Sequence, residues 1–116
     1  MSTPAVSDNN SPYFQAVVAA LSSRLDYSNS SVDTPIFAQG TTLVSIFATT
    51  DCWVLIKESD SSDVAAVISS GAKGTSFFVP GGIQAFFGIP FKRGVLYRAA
   101  VVRNTADGVL HITEGA

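Results

Sequence analysis

From Thr34 onward, short apolar runs alternate with turn residues. TPIFAQ stops at Gly40, and TTLVSIFATT follows. CWVLIKES leads into the polar stretch 60–63, DVAAVISS into GAKG, and TSFFVP into Pro80-Gly81-Gly82. IQAFFGIPF runs to Lys92-Arg93-Gly94, VLYRAAVVR to NTADG, and VLHIT closes the series. Runs rich in Val, Ile, Phe and Thr, separated by turns every 8–12 residues or so, predict about seven or eight strands. The expected fold is all-β: an antiparallel β-sandwich or a jelly-roll-like small barrel.

The turn residues refine that expectation. Pro80 presets φ for the first central position of a turn, and Gly81 supplies a positive φ at the second. Asp107-Gly108 ends a short connection between two apolar runs and predicts a hairpin. Gly88 and Pro90 interrupt an aromatic run, which places it at a bulge or on an edge strand.

Ahead of the β region the pattern differs. Residues 1–11 are mostly Ser, Thr, Asn, Asp and Pro and predict a polar arm. Ser11 can cap a helix that Pro12 begins. Phe14, Val17, Val18, Leu21 and Leu25 then fall on one helical stripe, so a short amphipathic helix is expected over 12–25. A strand is the alternative, because YFQAVV is also β-prone. The polar, Ser-rich stretch 26–33 predicts a linker. Two units follow: residues 1–33 as arm and short helix, and 34–116 as the β-sandwich or barrel domain.

Three of the runs are apolar on both faces. Leu43, Ser45 and Phe47 alternate with Val44, Ile46 and Ala48. Cys52, Val54 and Ile56 alternate with Trp53, Leu55 and Lys57, and residues 97–103 behave similarly. An antiparallel sheet with one face in water shows apolar-in, polar-out alternation. These strands therefore predict a second layer on the outside, supplied by the N-terminal helix or by another subunit.

Composition points the same way. Hydrophobic residues make up 47% of the 116 and charged residues only 14%, against about a quarter charged in an average soluble domain. So small a domain has too much surface to hide all of its apolar residues. Part of that surface is expected to meet another chain, with Phe14, Val17, Leu21, Phe78 and Phe87 as the interface candidates. A formal charge of -2 and only 7 Lys and Arg speak against nucleic-acid or anionic-membrane partners. The start of the chain lacks the basic and apolar regions of a signal peptide, which predicts synthesis in a host cytoplasm.

Candidate chemistry is sparse. Cys52, the single cysteine, lies in an apolar run and reads as a small buried hydrophobe. His111, the single histidine, lies in a strand-like run, and no G-x-S-x-G elbow accompanies it. The acidic run Glu58-Ser59-Asp60-Ser61-Ser62-Asp63 could offer oxygens to Ca²⁺ but lacks an EF-hand pattern, and reads better as a solvated loop. GAKG and PGG sit outside any strand–loop–helix unit and read as turn punctuation. No catalytic set, cofactor or metal is expected.

The polar MSTPAVSDNN arm, the Ser/Thr/Ala/Gly/Val-rich body and the closing pattern FFVPGGIQAFFGIP…GVLYRAAVVRNTADGVLHIT resemble small virion proteins of tailed bacteriophages. These are head decoration (cement), neck and tail-associated β-sandwich proteins, and the resemblance spans roughly 34–113. It implies a non-enzymatic structural subunit of the virion. Such a subunit is commonly a trimer or higher homo-oligomer that grips other virion proteins with its N-terminal arm. No motif maps a functional residue. The competing reading is a carbohydrate- or receptor-binding β-sandwich that stacks sugars on Trp53, Tyr13, Tyr27 or Tyr97.

Overall fold

The computed structural model describes residues 21–115. Among these, eight strands form two four-stranded antiparallel sheets. They are β1 (Leu21–Tyr27), β2 (Val32–Asp33), β3 (Leu43–Ala48), β4 (Cys52–Glu58), β5 (Phe77–Val79), β6 (Gln84–Gly88), β7 (Tyr97–Arg103) and β8 (Gly108–Gly115). One sheet runs β1-β8-β3-β6 and the other β2-β7-β4-β5. The first strand thus pairs with the eighth, the second with the seventh, the third with the sixth and the fourth with the fifth. A long hairpin rolled over on itself gives this order, which is the jelly-roll form of the sandwich.

The core lies between the sheets. Val44, Ile46 and Ala48 of β3 meet Cys52 and Val54 of β4, Ala99 and Val101 of β7, and Leu110 and Ile112 of β8. Each side chain is buried, so each large aliphatic one contributes about 1.5–3 kcal/mol of transfer free energy.

Both neighbours of the NTADG turn lie in different sheets: β7 pairs with β2 and β4, and β8 with β1 and β3. The expected hairpin is therefore a crossing between layers. Gly108 has a different role from turn residue. It stands opposite Tyr27 in the ladder, and a Cβ on it would come within 2.5 Å of the Tyr27 hydroxyl. At Pro80-Gly81-Gly82 the positive φ belongs to Gly82, at 78°. Gly81 is needed for closeness instead, since a Cβ there would lie 2.7 Å from the Thr50 backbone.

Other expectations shift as well. Residues 21–25, expected in the helix, belong to strand β1, and residues 12–20 lie outside the described residues. The stretch expected to be a linker holds the end of β1 and all of β2. Both strands are integral to the sheets, so the expected boundary between 33 and 34 falls inside the fold. TPIFAQ is not a strand, although Phe37 enters the core and its N–H reaches the Tyr97 carbonyl at 2.8 Å. DVAAVISS is not a strand either; it belongs to the connection 59–76. Gly88 and Pro90 do end an edge strand, β6.

That connection supplies the second layer outside the β2-β7-β4-β5 sheet. Ala65 is buried against Leu55, Ala100 and Val102, with Trp53 beside them. Lys57 rises from β4 into this layer with its side chain only 4% exposed. Its Nζ pairs with Asp33 Oδ1 at 3.0 Å and donates to the Asp63 carbonyl at 2.7 Å. Arg98 also reaches Asp33, at 3.6 Å.

At the opposite end of the sandwich, Tyr27 is buried and its hydroxyl donates to the Thr50 carbonyl at 2.7 Å. It also accepts from the Thr50 N–H at 3.2 Å. The edge strand β1 is thereby tied to the crossing between β3 and β4. Tyr27→Phe is expected to lower stability by about 1 kcal/mol, because it leaves the half-buried Thr50 N–H and carbonyl without their hydroxyl partner. Urea unfolding followed by Trp53 fluorescence measures this; a loss below about 0.3 kcal/mol would show that the tie carries no weight.

Candidate functional site

The feature that departs most from a closed sandwich is the edge formed by β4, β5 and β6. β5 is only three residues long and pairs with Cys52–Val54. The residues before it, SSGAKGT, are small or polar and of low β-propensity. Gly71 there has φ 80°, and Ala72 N–H bonds the Ser69 carbonyl in a turn. The ladder therefore cannot start earlier, and Leu55–Glu58 of β4 have no strand partner on that side among the described residues.

The direction of the free backbone groups follows from the ladder. Ser59 N–H donates to the Leu96 carbonyl at 2.8 Å, continuing the β4–β7 pairing. In an antiparallel ladder alternate residues bond to alternate neighbours. Leu55 and Lys57 therefore bond toward β7, and Ile56 turns its N–H and C=O to the open side.

Aromatic side chains surround this opening. Register with Val54 places Phe77 on the core side of β5, yet it is 49% exposed at the edge. Its ring meets Phe87 of β6 at 5.5 Å across the gap between the sheets. With Ile56 and Tyr97 they form the apolar floor of a cleft of about 790 Å³. Glu58, Asp60 and Asp63 stand on its rim. A smaller hollow of about 300 Å³ lies beside it, between the loops 37–42 and 89–97. Glu114 anchors the first of these loops by accepting from Ala38 N–H at 2.7 Å and Thr41 Oγ1 at 2.8 Å. The second carries Phe91, which is 91% exposed. A turn follows it, with Val95 N–H on the Lys92 carbonyl at 3.0 Å and Gly94 at φ 76°.

The expected interface residues are not gathered in one place. Phe87 lines the cleft. Phe78 lies on the outer face of β5, half-exposed, with its ring edge-on to Trp53 at 5.3 Å. Leu21 is exposed at the start of β1, on the far edge of the other sheet. Phe14 and Val17 lie outside the described residues. Sequence reasoning missed Phe77 and Phe91 as surface groups: the first because its parity points inward, the second because it stands in an apolar run.

The sugar-stacking candidates are not assembled into a platform. Trp53 donates from Nε1 to Asn104 Oδ1 at 3.1 Å and belongs to the outer layer. Tyr27 is in the core, Tyr97 is in the cleft, and Tyr13 lies outside the described residues. His111 is exposed, 6.4 Å from the Phe47 ring and opposite Arg24 in the ladder. No group of three or more His, Cys, Asp or Glu able to hold a metal ion occurs among the described residues. No helix among them is long and apolar enough to cross a membrane.

Cys52 points into the core and is fully buried. Burial pushes its thiol from 9.0 up to about 11, the Tyr27 hydrogen bond opposes that rise, and the neighbouring Asp51 charge adds to it. The proton is held more tightly folded than unfolded, so this group's contribution to stability is complete below 9.0. It is lost as the pH rises through about 11. A maleimide at neutral pH is therefore expected to leave Cys52 unmodified in the folded protein and to react fully in denaturant; mass spectrometry reads both, and rapid labelling of the native chain would contradict the burial. No known protein family matches the chain, and neither the curated proteins nor the solved structures contain a significant match to it.

Proposed function

We propose that the protein is a non-enzymatic structural subunit of an assembly, the kind of role small virion proteins of tailed phages fill. It acts by burying its open sheet edge and exposed phenylalanines against copies of itself and other proteins of the particle. The observation that carries this reading is the cleft at the β4–β5–β6 edge, where unpaired backbone and half-exposed aromatic rings occur together. Natural sheets usually blunt such an edge with charge, proline or a covering loop. Here the loop covers the outer face of β4 and leaves its edge open.

The setting in a virus particle comes from the sequence texture; the mode of action comes from the surface. Jelly rolls serve as capsid domains and as lectins alike, so the plan alone does not choose between them. The placement of the aromatics supports the assembly reading. Trp53 and Tyr27 are spent on internal hydrogen bonds, whereas Phe77, Phe78 and Phe91 remain at the surface. Phenylalanine offers no polar handle for a sugar hydroxyl and suits protein burial.

Size-exclusion chromatography with light scattering on the full chain, at about 1–100 µM, tests the proposal; affinities for stable subunit contacts fall in or below that range. A defined oligomer is expected. A monomer at every concentration that also captures no capsid or tail protein would sink it.

A further inference from the structure

The loop carrying Phe91 and the cleft are adjacent at one end of the sandwich, and they are complementary. Phe91 precedes Lys92 and Arg93, so the exposed ring is flanked by two cations. The cleft has an apolar floor between Phe77 and Phe87 and an acidic rim.

Charge placement sharpens the match. Of the seven cations, five are already paired within the chain: Arg24 with Asp26, Lys57 and Arg98 with Asp33, Lys92 with Glu58, and Arg103 with Asp107. Lys73 and Arg93 have no ion-pair partner among the described residues. Asp51 spends its carboxylate on the Gly81 N–H at 2.8 Å. Asp60 and Asp63, both exposed, have carboxylates without an ion-pair partner among the described residues. In a chain this poor in charge, one free cation beside the exposed ring and two free acids on the cleft rim form a matched set.

We infer that Phe91 of one copy seats in the β4–β5–β6 cleft of a second copy, with its Arg93 facing Asp60 and Asp63. Because loop and cleft are neighbours on one surface, the contact is reciprocal: each chain gives its loop and receives the other's. This is the isologous geometry of a two-fold pair, in which one patch is self-complementary. The buried ring supplies the anchor, and the charges set register and exclude other partners. The inference rests on the assembly reading above and names the contact it uses.

Sedimentation of the full chain tests it with three variants. Phe91→Ser removes a ring that is 91% exposed in the monomer, so thermal stability should hold while the dissociation constant rises by about 1000-fold, a hot-spot loss of about 30-fold at each of the two symmetric contacts. Arg93→Asp and Asp60→Arg should each weaken self-association by placing like charges together twice per dimer. Mixed in equal amounts, these two variants should pair again as a heterodimer, since at one cross-contact Arg93 meets both acids and at the other the two introduced charges meet as opposites, with Asp63 alone opposing. That pairing should also weaken with salt. A wild-type oligomer that persists unchanged in Phe91→Ser overturns this contact and leaves the assembly reading standing. So does a failure of the two charge variants to recover pairing on mixing. A wild-type chain that is monomeric throughout, as when residues 1–20 fill their own cleft, overturns the contact and weighs against the assembly reading as well.

Discussion

Burial on both faces of the β4–β7 pair governs the rest of the architecture. Ala99 and Val101 face the core, while Ala100 and Val102 face outward and are buried as well. Leu55 on β4 joins the outer group. That outer surface must be covered, and the chain covers it with its own connection 59–76. Residues committed to the covering layer cannot extend β5, so β5 is short and β4 outruns it. The open cleft is thus a consequence of closing a different face.

Lys57 is the pin of this layer. A lysine so deeply buried is tolerated only if its charge is paired and its protons are bonded. Asp33 pairs it and the Asp63 carbonyl accepts from it, so one side chain joins β2, β4 and the covering segment. Ala65 N–H reaches Ser31 Oγ at 3.0 Å, which fastens the segment at one further point, and Ala66 N–H reaches Ser76 Oγ at 3.1 Å within it. Small residues in DVAAVISS serve this purpose, because a layer laid flat over a sheet needs close approach more than bulk.

Strand content was legible because β-branched and aromatic runs between turn residues leave few alternatives. The two-sided apolar pattern at 43–47 and 52–57 also correctly announced a covering layer for the second of these strands. Its source was not legible: alternation tells that a face is buried and is silent on what buries it. Pairing partners were hidden for a similar reason. NTADG has the chemistry of a hairpin turn, but Tyr27 lies opposite Gly108 and claims β8 for the other sheet. Leu21 and Leu25 fit a helical stripe, yet they are also four apart on a strand, where both have the same parity. Pairing with β8 decides the matter, and no local signal contains it. The cleft was the least visible feature, since it depends on the difference in length between two paired strands.

Low charge has a second meaning once the ion pairs are known. Intramolecular pairs absorb most of the cations, so the long-range field of the protein is weak and cannot select partners at a distance. Selection then has to occur at contact, through shape and a few local charges. Exposed apolar groups without such charges would associate in many registers; an open sheet edge beside them makes that hazard greater. A free cation next to Phe91 and free acids next to the cleft restrict the registers in which a ring can enter with its charge satisfied. In the proposed assembly the sparse charge would thus work as a specificity device, keeping a sticky edge from meeting the wrong surface.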